Sequence, residues 1–471
     1  PGGWVSSRSA VGPWCEAATM RSQRKSPSAN RAKGLLWAGL ALAMVATPVE
    51  TQAGPVDDKG PEAGHETVHE PVLEPASPWP TLNSLLKVPP WLDLGLNIQS
   101  DGLGNPRGGT SKTTNWIQQT TLDASFSRGF GKDVALWKEA DHWKGHLELT
   151  LFSGTAGYGQ NIGSAFPLTA SDHPIGLWLT EASVTRSAGM GEVDLKAGVF
   201  SLNPGFIEAP VLDAYVNSVL NNTLNLNVTG LPINPFVAPG IELHWRPGTA
   251  GQGSSGGLGP YGEWRYGAFL LNPQNALASL FGVNTGQPQI NGSMQLVQWS
   301  FDRLPGAKRL AQPIQRDKQQ VARQLPQPLL QIGSGYLNDQ TNNTETPGMF
   351  GTLTLAAPMP IGLDDRFWLG LSSALTTSTN PNPWFVSGGW LSQGLIPGRP
   401  LDVLALGLGR SSFNSEVTTG QSPESLIELN YSAVINSSLS LQPFLQWVIN
   451  PGGTGTTANI LALGLQLQLQ F

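Results

Sequence analysis

The chain has 471 residues, of which 13% are charged and 39% are hydrophobic, and its formal net charge is -6. This mildly acidic balance, with no basic run in the body of the chain, argues against a nucleic-acid partner. The only cysteine, Cys15, lies near the start of the chain, so we expect neither disulfides nor thiolate chemistry in the body.

The first recognisable element is an export signal. Basic residues between Arg21 and Lys33 precede a short apolar run, Gly34–Ala46, which is followed by small residues. This order is typical of a cleaved secretory signal, and the apolar run is too short for the alternative, a membrane-spanning anchor. We therefore expect residues 20–53 to be the signal peptide and residues 1–19 to be an upstream artefact.

Residues 54–80 are rich in Pro, Glu and Asp, which predicts an extended, solvated linker in the periplasm. The linker contains His65-Glu66-Thr67-Val68-His69, a match to the HExxH pattern of zinc proteases. The match lies among prolines where no long buried helix is predicted, and no third ligand is evident. We interpret it as a chance match, and we predict no metal, no cofactor and no catalytic residue.

After the linker, short segments alternate apolar and polar residues and are separated by turns rich in Gly, Pro and Asn. Leu147, Leu149 and Leu151, for example, are each separated by one polar residue. This period-two alternation indicates strands with two unlike faces. About sixteen such segments lie near residues 91–99, 114–127, 144–153, 177–187, 192–200, 239–247, 261–271, 293–302, 328–336, 348–356, 366–376, 383–392, 400–410, 424–436, 439–449 and 459–471. They predict an all-β fold, a transmembrane antiparallel up-and-down β-barrel over residues 81–471.

Alternation alone would also fit a soluble β-sandwich, and two further features favour the membrane barrel. Several strands carry charges on their polar face, as the wall of a water-filled lumen would. Many tryptophans lie at segment ends, which is typical of aromatic girdles at membrane interfaces, although some could face the lumen. They are Trp178, Trp264, Trp299, Trp368, Trp384, Trp390 and Trp447.

The last predicted strand shows the alternation most clearly. From Leu461 to Phe471 every odd position is a large apolar residue, and every even position is small or neutral polar. Because the two sets point to opposite faces, we expect the odd positions to contact outer-membrane lipid and lipopolysaccharide. We expect Gln466, Gln468 and Gln470 to form a strip of pore wall, and the strand ending at Phe471 to be recognised by the barrel-assembly machinery.

Two connections are long enough to have a role of their own. The segment from Ser201 to Pro239 carries Glu208 and Asp213, and in a barrel it could fold inward and narrow the pore. The segment from Leu304 to Pro328 is rich in Gln, Arg and Lys, which predicts an extramembrane loop.

Charged side chains on three successive predicted strands are the candidate pore-lining residues. They are Asp194, Lys196, Glu242, Arg246, Glu263 and Arg265, joined by Glu208 and Asp213 on the long connection. Two interpretations remain open: a ladder of ion pairs that satisfies inward charges, or a constriction that hydrogen-bonds sugar hydroxyls. No arrangement of nucleophile, base and orienting group is evident, so we do not predict an enzyme.

Four segments carry a family resemblance through their order and spacing. They are Ala197–Ser218, Gly394–Asp402, Glu424–Tyr431 and Leu441–Gly453, the last with the sequence LQPFLQWVINPGG. This pattern resembles that of the OprB-type carbohydrate-selective porins of Gram-negative bacteria. The resemblance implies a barrel of about sixteen strands, monomeric or homotrimeric, with Arg and Glu side chains in its lumen.

We therefore expect an outer-membrane porin that passes small hydrophilic solutes by passive diffusion, above all carbohydrates. One alternative is a general or ion-selective porin, because the charged lining suits ions as well. Another is a secreted soluble β-rich protein that binds carbohydrate or acts as an adhesin, and such a protein would not need the apolar terminal strand.

Overall fold

Sixteen antiparallel strands close into one barrel, in which successive strands pair and the last strand pairs back to the first. The computed structural model describes residues 72–73, 77–129, 142–207, 209–221, 236–249, 257–271, 291–305, 310, 314–316, 319–376, 382–414 and 422–471. The first half of the barrel consists of β2 Leu92–Arg107, β3 Thr114–Gly129, β4 His142–Gly154, β5 Gly176–Ala188, β6 Val193–Phe200, β7 Ala238–Trp245, β8 Glu263–Leu270 and β9 Gly292–Phe301. The second half consists of β12 Leu329–Asp339, β13 Thr344–Ala356, β14 Asp364–Ala374, β15 Trp384–Gln393, β16 Val403–Ser411, β17 Glu424–Asn436, β18 Leu439–Ile449 and β19 Ile460–Gln470. The predicted barrel and all sixteen strand segments are confirmed.

Three short strands form a separate sheet: β1 Val72–Leu73, β10 Ile314–Arg316 and β11 Gln319–Val321. Their order in the sheet is β1-β11-β10. β1 lies in the predicted linker and pairs in parallel with β11, so the end of the linker contributes a strand. The segment Leu304–Pro328, predicted as an extramembrane loop, connects β9 to β12 and supplies the other two strands.

The helices that lie wholly within the described residues are short and lie between strands. They are α1 Leu82–Leu86, α2 Tyr158–Asn161, α3 Ser218–Asn221, a π-helix Asn203–Ile207 and two 3-10 helices, Leu212–Ala214 and Pro451–Gly453. Within the described residues, no helix has both the length and the apolar character needed to cross a membrane.

The two ends of the barrel differ. At the turn end, where β2 begins and β19 ends, some connections are as short as residues 189–192 and 437–438, and the β9–β12 connection also lies there. At the opposite loop end lie the long connections 155–175, between β4 and β5, and 201–237, between β6 and β7. The described residues of both long connections, 155–175 and 201–221 without 208, fold back into the barrel.

The outer surface carries the large apolar side chains. On β19, Leu463 and Leu465 are 45% and 46% exposed, whereas the inward-facing Ala462 and Gln466 are buried, so the predicted alternation holds. Outward leucines are exposed in the same way on β4 and β14. A continuous apolar exterior around a polar interior is the pattern of a barrel in lipid, and it is the reverse of that of a soluble β-protein.

The tryptophans predicted at segment ends divide between the two faces. Trp264, Trp384 and Trp447 are exposed on the outer surface, as girdle residues would be. Trp178 and Trp368 are buried inside the barrel. Trp178 packs edge-on against Phe236, and Trp368 packs at a tilt against Tyr215 of a connecting loop. The local alternation around a tryptophan therefore decides its face, and its place at the end of a strand does not.

Candidate pore constriction

A row of charged side chains, here called the lumen ladder, follows the inner wall across β6, β7 and β8. Its members are Asp194, Lys196, Glu242, His244, Arg246, Glu263 and Arg265. The strand register places Asp194 opposite His244, and His244 opposite Arg265. The alternation of the three strands and their pairing therefore bring together six residues singled out in the sequence, and add His244.

Ion pairs join the lumen ladder from strand to strand. The Nη1 atom of Arg246 lies 3.0 Å from Glu263 Oε2, and its Nη2 atom pairs with Asp194. Arg265 pairs through Nε with Glu263. His244 Nε2 lies 3.0 Å from Glu242 Oε1, which extends the row one step towards the loop end.

The ladder continues onto β5. The Nζ atom of Lys196 lies 2.8 Å from Glu181 Oε1, and this ion pair is separate from the others. The other five residues predicted on these strands form, with His244, one connected set of ion pairs: Asp194, Glu242, Arg246, Glu263 and Arg265. Most charged side chains of the lumen ladder therefore have a partner of opposite sign.

The acids and bases of the lumen ladder differ in their access to water. The side chain of Glu263 is 2% exposed, whereas that of Arg265 is 18% exposed. Arg265 donates through Nε to Glu263 and through Nη1 to the Gly205 carbonyl oxygen. Its Nη2 group has no hydrogen-bond acceptor within the described part of the chain, so two N–H donors of a fixed guanidinium remain available.

The connection after β6 starts at the lumen ladder. We call residues 201–221 the crossing loop; Glu208, one of the predicted lining residues, lies outside the described residues. At its start, the Gly205 carbonyl oxygen accepts a hydrogen bond from Arg265. A Cβ atom at Gly205 would lie 1.8 Å from Glu242 Oε1, so any other residue here would require the Glu242 carboxylate to move.

The crossing loop ends on the opposite wall. The backbone N–H groups of Val216 and Asn217 donate to the carboxylate of Glu428 on β17, at 2.9 and 2.8 Å. β17 is seven strands from β6 in one direction around the barrel and nine in the other. The loop therefore spans the lumen, which is the inward fold that its length suggested.

Tyr215 occupies a slot in that wall. Its hydroxyl donates to the Leu406 carbonyl oxygen at 3.0 Å and accepts from Trp368 Nε1 at 2.7 Å. The slot exists because Gly389 and Gly407 lack side chains: a Cβ atom would lie 2.3 Å and 2.5 Å, respectively, from the nearest Tyr215 atom. Burial raises the pKa of the Tyr215 hydroxyl above its ordinary value, so the group stays protonated and donates.

A second inward connection, residues 155–175, packs beside the crossing loop. The Ser164 hydroxyl and the Ala165 N–H donate to the Glu424 carboxylate of β17 at 3.1 and 2.9 Å. Ser218 of the crossing loop donates to the Pro167 carbonyl oxygen at 2.8 Å. Two connections from the loop end thus narrow the same lumen.

Glu424 and Glu428 were not singled out as site residues. Both lie in the Glu424–Tyr431 segment that carries the family resemblance, at inward positions of β17. The available signal was a pair of acids four residues apart on one face of a strand, where an unpaired buried carboxylate would be costly. Such acids need donors from elsewhere, and the two inward loops supply them.

Asp213 lies on the 3-10 helix Leu212–Ala214, next to the Ala214 carbonyl oxygen, which accepts hydrogen bonds from Asn430 and Gln442. Its side chain is exposed to solvent, while the surrounding walls restrict its hydration and raise the pKa of the carboxyl to about 6. The described residues contain no group of His, Cys, Asp and Glu able to hold a metal ion. The HExxH match at His65–His69 lies outside them.

A family model described as "Carbohydrate-selective porin, OprB family" matches residues 150–471. Among solved structures, the high-pH structure of Pseudomonas putida OprB shares 18% identity with a TM-score of 0.62, and the match covers 83% of this chain and 96% of that one. The anion-selective porin from Comamonas acidovorans shares 10% identity with a TM-score of 0.47, covering 81% and 99%. The first of these similarities shows the fold. A comparison with curated proteins gives no match.

Proposed function

Because the chain belongs to the OprB family of carbohydrate-selective porins, we propose that the lumen ladder and the crossing loop form its sugar-selective constriction. The protein is an outer-membrane porin for carbohydrates, and the proposal concerns the groups that a sugar contacts inside it. The proposal combines the two interpretations of the charged residues. Most residues of the lumen ladder satisfy each other's charges, and Arg265 at its edge contacts the solute.

The observation that carries the proposal is the Nη2 group of Arg265. Glu263 and Gly205 fix this guanidinium in place, and the remaining donors are on a partly exposed inner surface. A guanidinium held in this way can donate two directed hydrogen bonds to a sugar hydroxyl or ring oxygen at little further cost in side-chain entropy.

The crossing loop would supply the opposite side of the constriction. It fixes the distance between the ladder and the far wall, because both of its ends are bound to inward side chains. A sugar in this gap exchanges its water for hydrogen bonds with Arg265, with the partly exposed carboxylate of Asp194 and with the exposed carboxyl group of Asp213. Diffusion then needs no energy input, since binding has only to be weak enough for release.

Outside the lumen, the exposed apolar band would contact outer-membrane lipid and lipopolysaccharide, and the chain would reach the membrane through a signal in residues 20–53. The barrel-assembly machinery would recognise the terminal strand. In the closed barrel, Phe471 exchanges backbone hydrogen bonds with Leu96 at 3.0 and 3.2 Å, so the last residue takes part in closure. Whether the assembled state is a monomer or a homotrimer would follow from the mass of the purified protein in detergent.

Reconstituted protein in a planar bilayer tests the proposal. We expect ion-conducting channels whose current falls as maltose is added, because bound sugar occupies the constriction. Liposomes containing the protein should swell faster in glucose than in a large dextran. Channels whose current is insensitive to any sugar would indicate a general or ion-selective pore, and folded protein without conductance would reject the channel.

A further inference from the structure

The connection between β9 and β12 enters the barrel at its turn end. The Gln324 N–H donates to Gln393 Oε1 at 2.8 Å, and Gln393 Nε2 donates to the Ala322 carbonyl oxygen at 2.8 Å. Gln393 faces inward at the end of β15. Leu325 is buried in the same apolar cluster as Trp368 and Leu391 of the inner wall, so this segment projects into the lumen.

A buried ion-pair cluster fixes the segment in place. Arg366, on the inner face of β14, is fully buried; its Nε atom donates to the Pro326 carbonyl oxygen at 2.6 Å, and its Nη1 atom donates to Asp364 at 2.6 Å. Arg323 of the segment pairs with the same carboxylate. Removing one member of such a cluster leaves an unpaired buried charge, so these contacts stabilise the segment in the turn-end mouth.

Beside this segment lies a cavity of about 340 Å³, a volume in the range of small-molecule sites. Its wall joins the segment to β17, β18 and β19. The polar lining consists of amides and hydroxyls, from Gln324, Asn436, Ser437, Ser438, Ser440, Gln468 and Gln470. No ionisable side chain lines it among the described residues, in contrast with the lumen ladder.

The chemistry of this lining suits a neutral, polyhydroxylated solute. An amide offers both donors and acceptors, and so does a sugar hydroxyl, whereas an ion would find no counter-charge. Gln468 is held by Gln466 at 2.9 Å. The side-chain amides of Gln324 and Gln470 make no hydrogen bond within the described part of the chain, so both can bind a ligand.

We propose that the cavity between Gln324 and the amide strip of β19 is a second sugar-binding site at the turn-end mouth, for neutral mono- or disaccharides. The inference rests on the proposed function and adds a second binding site, which is lined by amides and hydroxyls instead of charged groups. A solute leaving the charged constriction would meet an uncharged site before release, and charged solutes would gain nothing there.

The test uses the full channel in a planar bilayer, with maltose on both sides, and compares Gln324→Ala/Gln470→Ala with Arg265→Gln. The control is Gln119→Ala, an inward amide of β3 outside the cavity. We expect the double variant to keep the sugar-free conductance and to raise the half-blocking maltose concentration about threefold to tenfold, as the loss of one or two net hydrogen bonds implies. Gln119→Ala should leave that concentration unchanged.

Each result separates the two proposals. An unchanged half-blocking maltose concentration in the double variant overturns the second site. If Arg265→Gln weakens the block in the same experiment, the proposed constriction at the lumen ladder is still supported. A weaker block in the double variant alone supports the second site and removes Arg265 from the constriction. Wild-type channels that conduct ions but are not blocked by maltose overturn both.

Discussion

The indole Nε1 of Trp368 donates a 2.7 Å hydrogen bond to the hydroxyl oxygen of Tyr215, which joins the inner wall of β14 to the crossing loop. The same hydroxyl donates to the Leu406 carbonyl oxygen on β16. Tyr215 is thus held by two strands, each through one hydrogen bond. The position of the crossing loop, and with it the width of the lumen, depends on this contact.

Replacing Tyr215 with phenylalanine tests that dependence. Tyr215→Phe leaves the buried Trp368 N–H and the partly buried Leu406 carbonyl without this partner. We expect a loss of about 1–3 kcal/mol in the free energy of unfolding and a noisier open-channel current, because the loop end becomes less fixed. Tyr261→Phe, at an exposed turn residue, is the control, and an equal effect of the two substitutions would contradict the role of Tyr215.

A side chain at Gly407 should displace the loop directly. Because a Cβ atom at Gly407 would lie 2.5 Å from Tyr215 Cε1, Gly407→Val should expel the tyrosine from its slot. We expect a larger single-channel conductance and a weaker block by maltose. Gly102→Ala is the matched control, since its Cβ atom would meet nothing within 4 Å. A Gly407→Val channel with wild-type conductance would show that the crossing loop does not limit the flow of ions through the pore.

Glu428 is the anchor of the far end of the crossing loop. Its carboxylate accepts from two backbone N–H groups and from the amides of Asn430 and Gln446. Glu428→Gln replaces one accepting oxygen with an NH₂ group, which sets donor against donor. We expect a loss of about 1–3 kcal/mol in stability together with increased current noise. Glu345→Gln, at an exposed position of β13, should change neither quantity.

The outer face of β19 tests the membrane assignment. Leu465→Arg places a charge on the exposed apolar surface, and near the membrane midplane it should lower the free energy of unfolding in lipid by about 2–4 kcal/mol. Thr456→Arg, in the exposed connection before β19, should be tolerated. If both variants fold equally well into liposomes, this face does not contact the hydrocarbon core.

The strands of the barrel were predictable because their signal is local. Lipid on one side and water on the other impose a period of two on every strand, and β17 and β18 match their predicted bounds. Asp213 was recognised as part of a long connection, and the inward fold of that connection was one of the outcomes its length allowed. The alternation of β6, β7 and β8 likewise sufficed to bring the charged residues onto one face.

The contacts that shape the lumen could not be read from the sequence, because their partners are far apart in the chain. Ser164 and Glu424 are 260 residues apart and meet only when the barrel closes. The segment with Arg323 and Leu325 has the composition of a solvated loop, and its place in the mouth depends on Asp364 and the apolar inner wall. The alternation of apolar and polar residues predicts the strands of the barrel wall. The loops that fill the lumen make contacts that form only when the barrel closes.

The most direct test of the central claim is the block of single-channel current by maltose in the Arg265→Gln variant. Arg410→Gln, at an exposed outward position of β16, is the matched control. We predict that Arg265→Gln channels still conduct ions, that their half-blocking maltose concentration rises about threefold to tenfold, and that Arg410→Gln channels match the wild type. A block in Arg265→Gln channels equal to that of the wild type would contradict the claim that sugars are selected at the lumen ladder.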